Sequence, residues 1–335
     1  MSFNGELLTK LCKINGVSGY EDKVREVILE EIKDYIDEYK VDALGNLIAL
    51  KKAPAGVGAK KMMLSGHMDQ IGLMTTYISD EGFIYFTPIG GKNPNICLGQ
   101  RFVFENGTIG VVSTERLESG KELNFDKMYI DIGVKNKEEA LKYVKAGSVC
   151  NYDQSSVITE TAVISPALDD RIGCFIMIEA LKKLKNQAFD IYFTFSVQEE
   201  VGLRGAKTAA FGVEPDYAIA FDVTGSFDTP KAVHMPSRMF EGAAIKIKDR
   251  SVLCHPTMIA HLEECAKSAG VKYQFDILQM GGTDAGSIHL SRGGVVTGGI
   301  SIASRYIHTA NEMVALEDIK SCIDLTVAAM ETEIK

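Results

Sequence analysis

Glu199 and Glu200 stand side by side where an apolar run, 191–197, gives way to a turn through Gly202 and Gly205. Successive side chains leave an extended backbone in different directions, so such a pair can divide labour, one carboxylate holding a cation while the other moves protons. Four further segments carry a histidine or carboxylate just past an apolar run or at a strand-to-helix turn: His67 with Asp69, Asp169 with Asp170, Asp222, and His308. Two histidines and three or more carboxylates form a nitrogen and oxygen donor set suited to zinc, cobalt or manganese. The set is too large for one tetrahedral zinc, and it suits two ions roughly 3.5–4 Å apart that share a bridging carboxylate. Taken singly, each residue has an ordinary reading: Asp169 as a helix cap, His67 and His308 as hydrogen-bonded histidines, Asp222 as the end of a strand. It is the coincidence of five segments that favours a shared site. His234, His255, His261 and His289 lack the pattern. Thr283 and Asp284, in a glycine turn, are expected to line a substrate pocket, although a Thr-Asp turn is also a common cap.

For these residues to meet, the runs that precede them must be strands of one sheet, because parallel strands present their C-terminal ends along one edge. Apolar runs at 61–65, 191–197, 217–221 and 295–302 are the expected strands, and helical spacing marks 6–14, 21–39, 172–184, 256–269 and 316–333. A hairpin is expected across 39–51, and Ser18 with Glu21 has the spacing of a capping box. From 72 to 161 the texture changes to short β-like runs between glycines, with one helix at 137–146. The pattern predicts an α/β domain made of residues 1–70 and 162–335, interrupted by a β-rich domain at 71–161.

Composition narrows the class of protein. A chain of 335 residues, 46% hydrophobic and 24% charged, is that of a globular protein large enough for two domains. The net charge of -9, with basic residues scattered among acids, argues against a nucleic-acid partner. Seven cysteines, odd in number and never spaced C-x-x-C, indicate a reduced, cytoplasmic setting and exclude a thiolate zinc site. The N-terminus lacks the charged and apolar regions of a signal peptide, and no apolar run approaches the roughly 20 residues of a membrane helix.

The motifs Gly66-His67-Met68-Asp69, Ala167-Leu168-Asp169-Asp170-Arg171, Gln198-Glu199-Glu200-Val201-Gly202-Leu203-Arg204-Gly205-Ala206, Phe221-Asp222-Val223-Thr224 and Arg305-Tyr306-Ile307-His308 resemble, in order, those of the M42 family of co-catalytic metallo-aminopeptidases. The resemblance runs over nearly the whole chain, and its motifs are specific as a combination. It implies a three-layer α/β catalytic domain with an inserted dimerisation domain, and an enzyme that hydrolyses the N-terminal residue from peptides with a free N-terminus. It implies two divalent ions, zinc or else cobalt or manganese, with Asp169 bridging, His67 and Asp222 on one ion, and Glu200 and His308 on the other. Glu199 becomes the general base and acid, and Asp69 accepts the far ring N–H of His67. A cis peptide after Asp169 is also expected, as is assembly into dimers or twelve-subunit tetrahedra. Two places depart from the family: Lys92 stands where an aromatic residue is expected, and the segment 114–123 lacks a Pro-Pro-His sequence. A deacylase or carboxypeptidase on the related two-metal fold would need much the same donors. Some relatives carry an endoglucanase label, and a metal-free glycosidase would leave the histidines without a role. A binding protein that has lost the chemistry would not keep the whole donor set.

Overall fold

The computed structural model describes residues 3–54, 60–116, 122–153 and 155–335, so part of the segment 114–123 lies outside the described residues. Four parallel strands form the centre of a mixed sheet. Lys61–His67 lies between Asp190–Ser196 and Tyr217–Gly225, and Val296–Arg305 follows on the far side of the latter. In register, Ser196 pairs with His67 and Asp222 with Ser301, so the ends that carry the chemistry lie along one edge. The hairpin Glu38–Val41 and Leu47–Lys51 extends the sheet on one side, and Glu312–Ala315, Ala162–Ser165 and Val157–Ile158 extend it on the other. Ala243–Lys248 and Tyr273–Ile277 form a parallel pair that branches from Val296–Arg305.

Alternation along these strands decides which helices cover which face. Met62, Leu64, Ile191, Phe193, Phe195, Ile219 and Phe221 point to one side, where they pack with Ile172, Phe175, Ile176 and Leu325. That side is covered by Leu168–Lys183, Leu316–Glu331 and the N-terminal helices Gly5–Lys13 and Asp22–Ile32. Met63 and Ala218 point the other way, against Ala206, Ala209 and Ala210 of Arg204–Val213 and Ile288 of the short helix Ala285–Ile288. Bulky side chains thus make the thick layer and small ones let the opposite helix approach closely. Each buried Phe or Leu contributes about 1.5–3 kcal/mol. The result is three layers, helix, sheet and helix.

A second core sits inside a closed barrel of strands between residues 72 and 152, in the order Gly72–Ile78, Ile84–Ile89, Met128–Asp131, Ile109–Thr114, Arg101–Phe104 and Val149–Tyr152. Phe102, Ile130, Ile84 and Val112 fill it. The barrel's last strand ends at Tyr152, and Val157–Ile158 already pairs in the large sheet, so the boundary expected at 161 falls several residues late. The second helix stops at Ile32 rather than 39, because Tyr39 pairs with Ala49 in the hairpin and the strand takes that backbone. The helix expected at 137–146 is α-helical only over Lys137–Ala140 and continues as tighter turns. The capping box does not form. Ser18 Oγ donates instead to Asp69, and Glu21 Oε1 accepts from the N–H groups of Gly19 and Gln198, because both side chains serve the site.

Candidate metal centre

The strand Lys61–His67 delivers His67 to the sheet edge with its ring buried. Its Nδ1 lies 3.1 Å from the Asp69 carbonyl oxygen. A carbonyl can only accept, so Nδ1 carries the proton and the lone pair of Nε2 faces the site. Nε2 lies 3.1 Å from Asp169 Oδ1, and the other oxygen of Asp169 lies 3.2 Å from His308 Nε2. His308 Nε2 is also 3.2 Å from Glu200 Oε2, and Asp222 Oδ1 lies 4.0 Å from His67 Nε2. Among the described residues, the donors fall into two groups, His67 with Asp169 and Asp222, and Asp169 with Glu200 and His308. Within each group the donor atoms all lie within 4.8 Å of one another. Asp169 belongs to both.

Glu199 stands outside both groups, with a carboxylate oxygen 3.8 Å from His67 Nε2. It lines a cavity of about 500 Å³ together with Asp169, Glu200, Asp222 and His308. Asp69 faces the His67 ring with two oxygens. The closest contact of His67 Nδ1 is the backbone carbonyl of Asp69, while the carboxylate is 3.4 Å away. That carboxylate accepts hydrogen bonds from Ser18 Oγ at 2.6 Å, Glu199 N at 2.9 Å and Glu200 N at 3.2 Å. Its main contacts therefore hold the Glu199-Glu200 turn in place. Thr283 and Asp284 do not line the cavity; their glycine turn does, through Gly281 and Gly282. Asp284 is buried behind the site, where Oδ2 accepts from Ser65 Oγ at 2.7 Å and Ser196 Oγ at 2.5 Å and ties two parallel strands together beneath His67. Thr283 Oγ1 donates to Asp249 Oδ2 at 3.1 Å.

The Asp169–Asp170 peptide is cis. Asp170 turns inward, accepting from His67 N at 3.2 Å and Gly173 N at 3.0 Å. A side chain at position 173 would put its Cβ 2.3 Å from that carboxylate, so only glycine fits there. Two positioning residues escaped sequence reasoning. Glu312 accepts from Asp169 N and His308 N, both at 2.9 Å, and so fixes the backbones of donors from two different segments. Arg171 is fully buried and donates to the carbonyls of Met68 and Leu11 at 2.6 Å each, which binds the N-terminal helix to the site. The barrel closes one wall: Gly90 and Gly91 pack so tightly that an added Cβ would lie 3.2 Å from Glu200 and 3.1 Å from His308.

The electrostatics are those of an acid-rich site short of positive charge. Burial raises Asp222, Glu199 and Glu200, and neighbouring carboxylates raise them further. Burial and the nearby Asp169 push Glu312 up to about 8. Burial would lower His308, but its contacts to Asp169 and Glu200 prevail and push it up to about 11. Burial would likewise raise Asp169, yet the adjoining imidazoles of His308 and His67 hold it well below the usual carboxylate range. Glu200 Oε1 is buried without a hydrogen-bond partner among the described residues. An unpaired carboxylate oxygen, two imidazoles aimed inward and a surplus of buried acid fit divalent cations, which would supply the missing charge.

The M42 glutamyl aminopeptidase family matches residues 45–325. A relative from Acetivibrio thermocellus is 51% identical over 326 residues, covering 97% of this chain and 98% of its own. A solved aminopeptidase from the archaeon Desulfurococcus kamchatkensis superposes with a TM-score of 0.94 at 35% identity, over 98% of this chain and 94% of that one. A Pyrococcus horikoshii peptidase that can assemble into a tetrahedron or a large octahedral shell gives a TM-score of 0.84 at 32% identity, over 97% and 98% of the two chains.

Proposed function

The chain belongs to the M42 glutamyl aminopeptidase family, and on that premise we propose that it removes single residues from the free N-terminus of peptides with the help of two divalent metal ions. The observation that carries this reading is the pair of three-donor groups joined through Asp169. His67, Asp169 and Asp222 would hold one ion, and Asp169, Glu200 and His308 the other. Zinc suits the donor set, with cobalt or manganese as the alternatives. Such ions, when bound, lower the pKa of water and polarise a carbonyl oxygen.

The remaining work falls to this chain's own residues. Glu199 belongs to neither donor group yet lines the cavity, so its carboxylate is free to take a proton from the attacking water and return it to the departing amine. Asp69 keeps it there through the backbone N–H groups of Glu199 and Glu200. His67 is held with Nε2 inward by the Asp69 carbonyl. The carboxylates of the cluster attract the positive N-terminal amine of the peptide, so a blocked N-terminus makes a poor substrate. The tetrahedral and octahedral assembly of the Pyrococcus relative supports a homo-oligomer here, a dimer or a dodecamer.

The test strips the protein with a chelator and reloads it with zinc or cobalt, then offers short peptides with free or acetylated N-termini. Metal-restored release of one residue at a time from free peptides alone is the expected result. Equal cleavage of acetylated peptides would point to a deacylase or carboxypeptidase instead, and chelator-resistant hydrolysis of a glucan to a glycosidase.

A further inference from the structure

Beyond the metal donors, the walls of the cavity change character. Leu203, Val223, Leu278, Met280 and Ile307 form them, with glycines between, and no lysine or arginine lines the cavity among the described residues. The hydroxyl of Thr224, which also lines it, donates to Asp276 Oδ1 at 3.0 Å, so it has no proton left to offer a carboxylate. Two cations on the adjoining strands are paired with carboxylates. Lys246 is buried against Asp276 at 2.5 Å, and Arg305 makes two hydrogen bonds to Asp228, at 2.9 and 2.8 Å. The ammonium of Lys92 sits inside the barrel, 3.9 Å from the centre of the Tyr152 ring.

We infer that this pocket receives the first side chain of the peptide and selects an uncharged, apolar one such as leucine or methionine, rejecting glutamate despite the family's description. The inference rests on the aminopeptidase reading and deepens it. A glutamate carboxylate placed against those walls meets no lysine or arginine, so it loses its water without a partner. A lysine ammonium fares no better, because the carboxylate oxygens nearest to it are the proposed metal donors, and the apolar walls leave its long stem no charged end-point. A leucine or methionine side chain replaces water against five apolar residues.

The experiment measures kcat/KM of the metal-loaded protein for free-amine tetrapeptides that differ only in the first residue: Leu, Met, Ala, Lys or Glu. Leu and Met should exceed Ala by ~10-fold or more, the usual return for filling an apolar pocket. They should exceed Glu by ~100-fold or more, because an unpaired buried charge is the costlier mismatch. Met280→Arg supplies the missing cation and should narrow the Leu-to-Glu ratio by ~10-fold or more. If Glu or Lys is the best substrate, or if Met280→Arg leaves the ratio unmoved, the inference falls while the aminopeptidase reading stands. If no free-amine peptide is cut with any metal, or acetylated ones are cut equally well, the aminopeptidase reading falls and takes the inference with it.

Discussion

Glu199 and Glu200 are neighbours with different surroundings: one faces the cavity outside both donor groups, the other lies 3.2 Å from His308. The proposed division of labour predicts that their segment can lose catalysis without losing metal. Glu199→Gln should lower kcat by ~10²–10⁴, the usual worth of a general base, with both ions retained. His308→Ala should instead lower metal content, read by elemental analysis; a nearly normal rate for the first variant, or full occupancy for the second, would remove the assigned role. These residues were legible because each ends an apolar run, so type and position gave the signal together. Glu312 gave none. Its importance lies in two backbone N–H groups that it accepts from, and only the folded chain brings those together. Asp284 misled for the same reason, since a carboxylate in a glycine turn reads alike whether it faces the cavity or, as here, two serines behind it.

At the level of elements, the parallel strands were legible from their apolar runs, and the inserted β-rich unit from its short runs between glycines. The second helix was over-extended because 35–39 keeps some helical spacing, and only pairing with Ala49 assigns Tyr39 to a strand. The loop 90–92 shows what a departure from a family pattern costs. Gly90 and Gly91 touch Glu200 and His308, while the next residue sends its ammonium into the barrel between Phe102 and Tyr152 with no hydrogen-bond partner among the described residues. Burial lowers Lys92 to about 8. A lysine depressed in the folded state binds protons more weakly there than in the unfolded chain. Its cost is therefore complete below about 8 and relieved as pH rises toward its ordinary value of about 10.5. Lys92→Met should stabilise the protein near neutral pH by on the order of 2–3 kcal/mol. The gain should fade between about pH 8 and 10, measured by denaturant unfolding of variant and parent side by side. A gain that does not change with pH would mean that packing, not charge, explains it.

On the scale of the whole molecule, the barrel carries exposed apolar side chains on its outer surface, among them Tyr77, Ile109, Val111, Leu141 and Tyr143. They lie on different sides of the barrel, since Tyr77 belongs to Gly72–Ile78 and Val111 to Ile109–Thr114, three strands away around the closed sheet, so more than one apolar spot is open to a second copy. Sedimentation should return a multiple of the 36.6 kDa chain mass, and Tyr77→Glu with Val111→Glu should reduce that multiple; a monomer at micromolar concentration would overturn the assembly proposed above. The strand Lys61–His67 has another consequence. Both of its neighbours in the sheet, Asp190–Ser196 and Tyr217–Gly225, come after the barrel, and the last donor, His308, comes later still. Folding must close long loops before the central strands pair, so contact order is high and the catalytic domain is expected to form slowly. On the ribosome the barrel can collapse while the sheet still waits for partners. A peptidase whose donors meet only when nearly the whole chain has emerged has no working site with which to trim neighbouring nascent chains while it is being made.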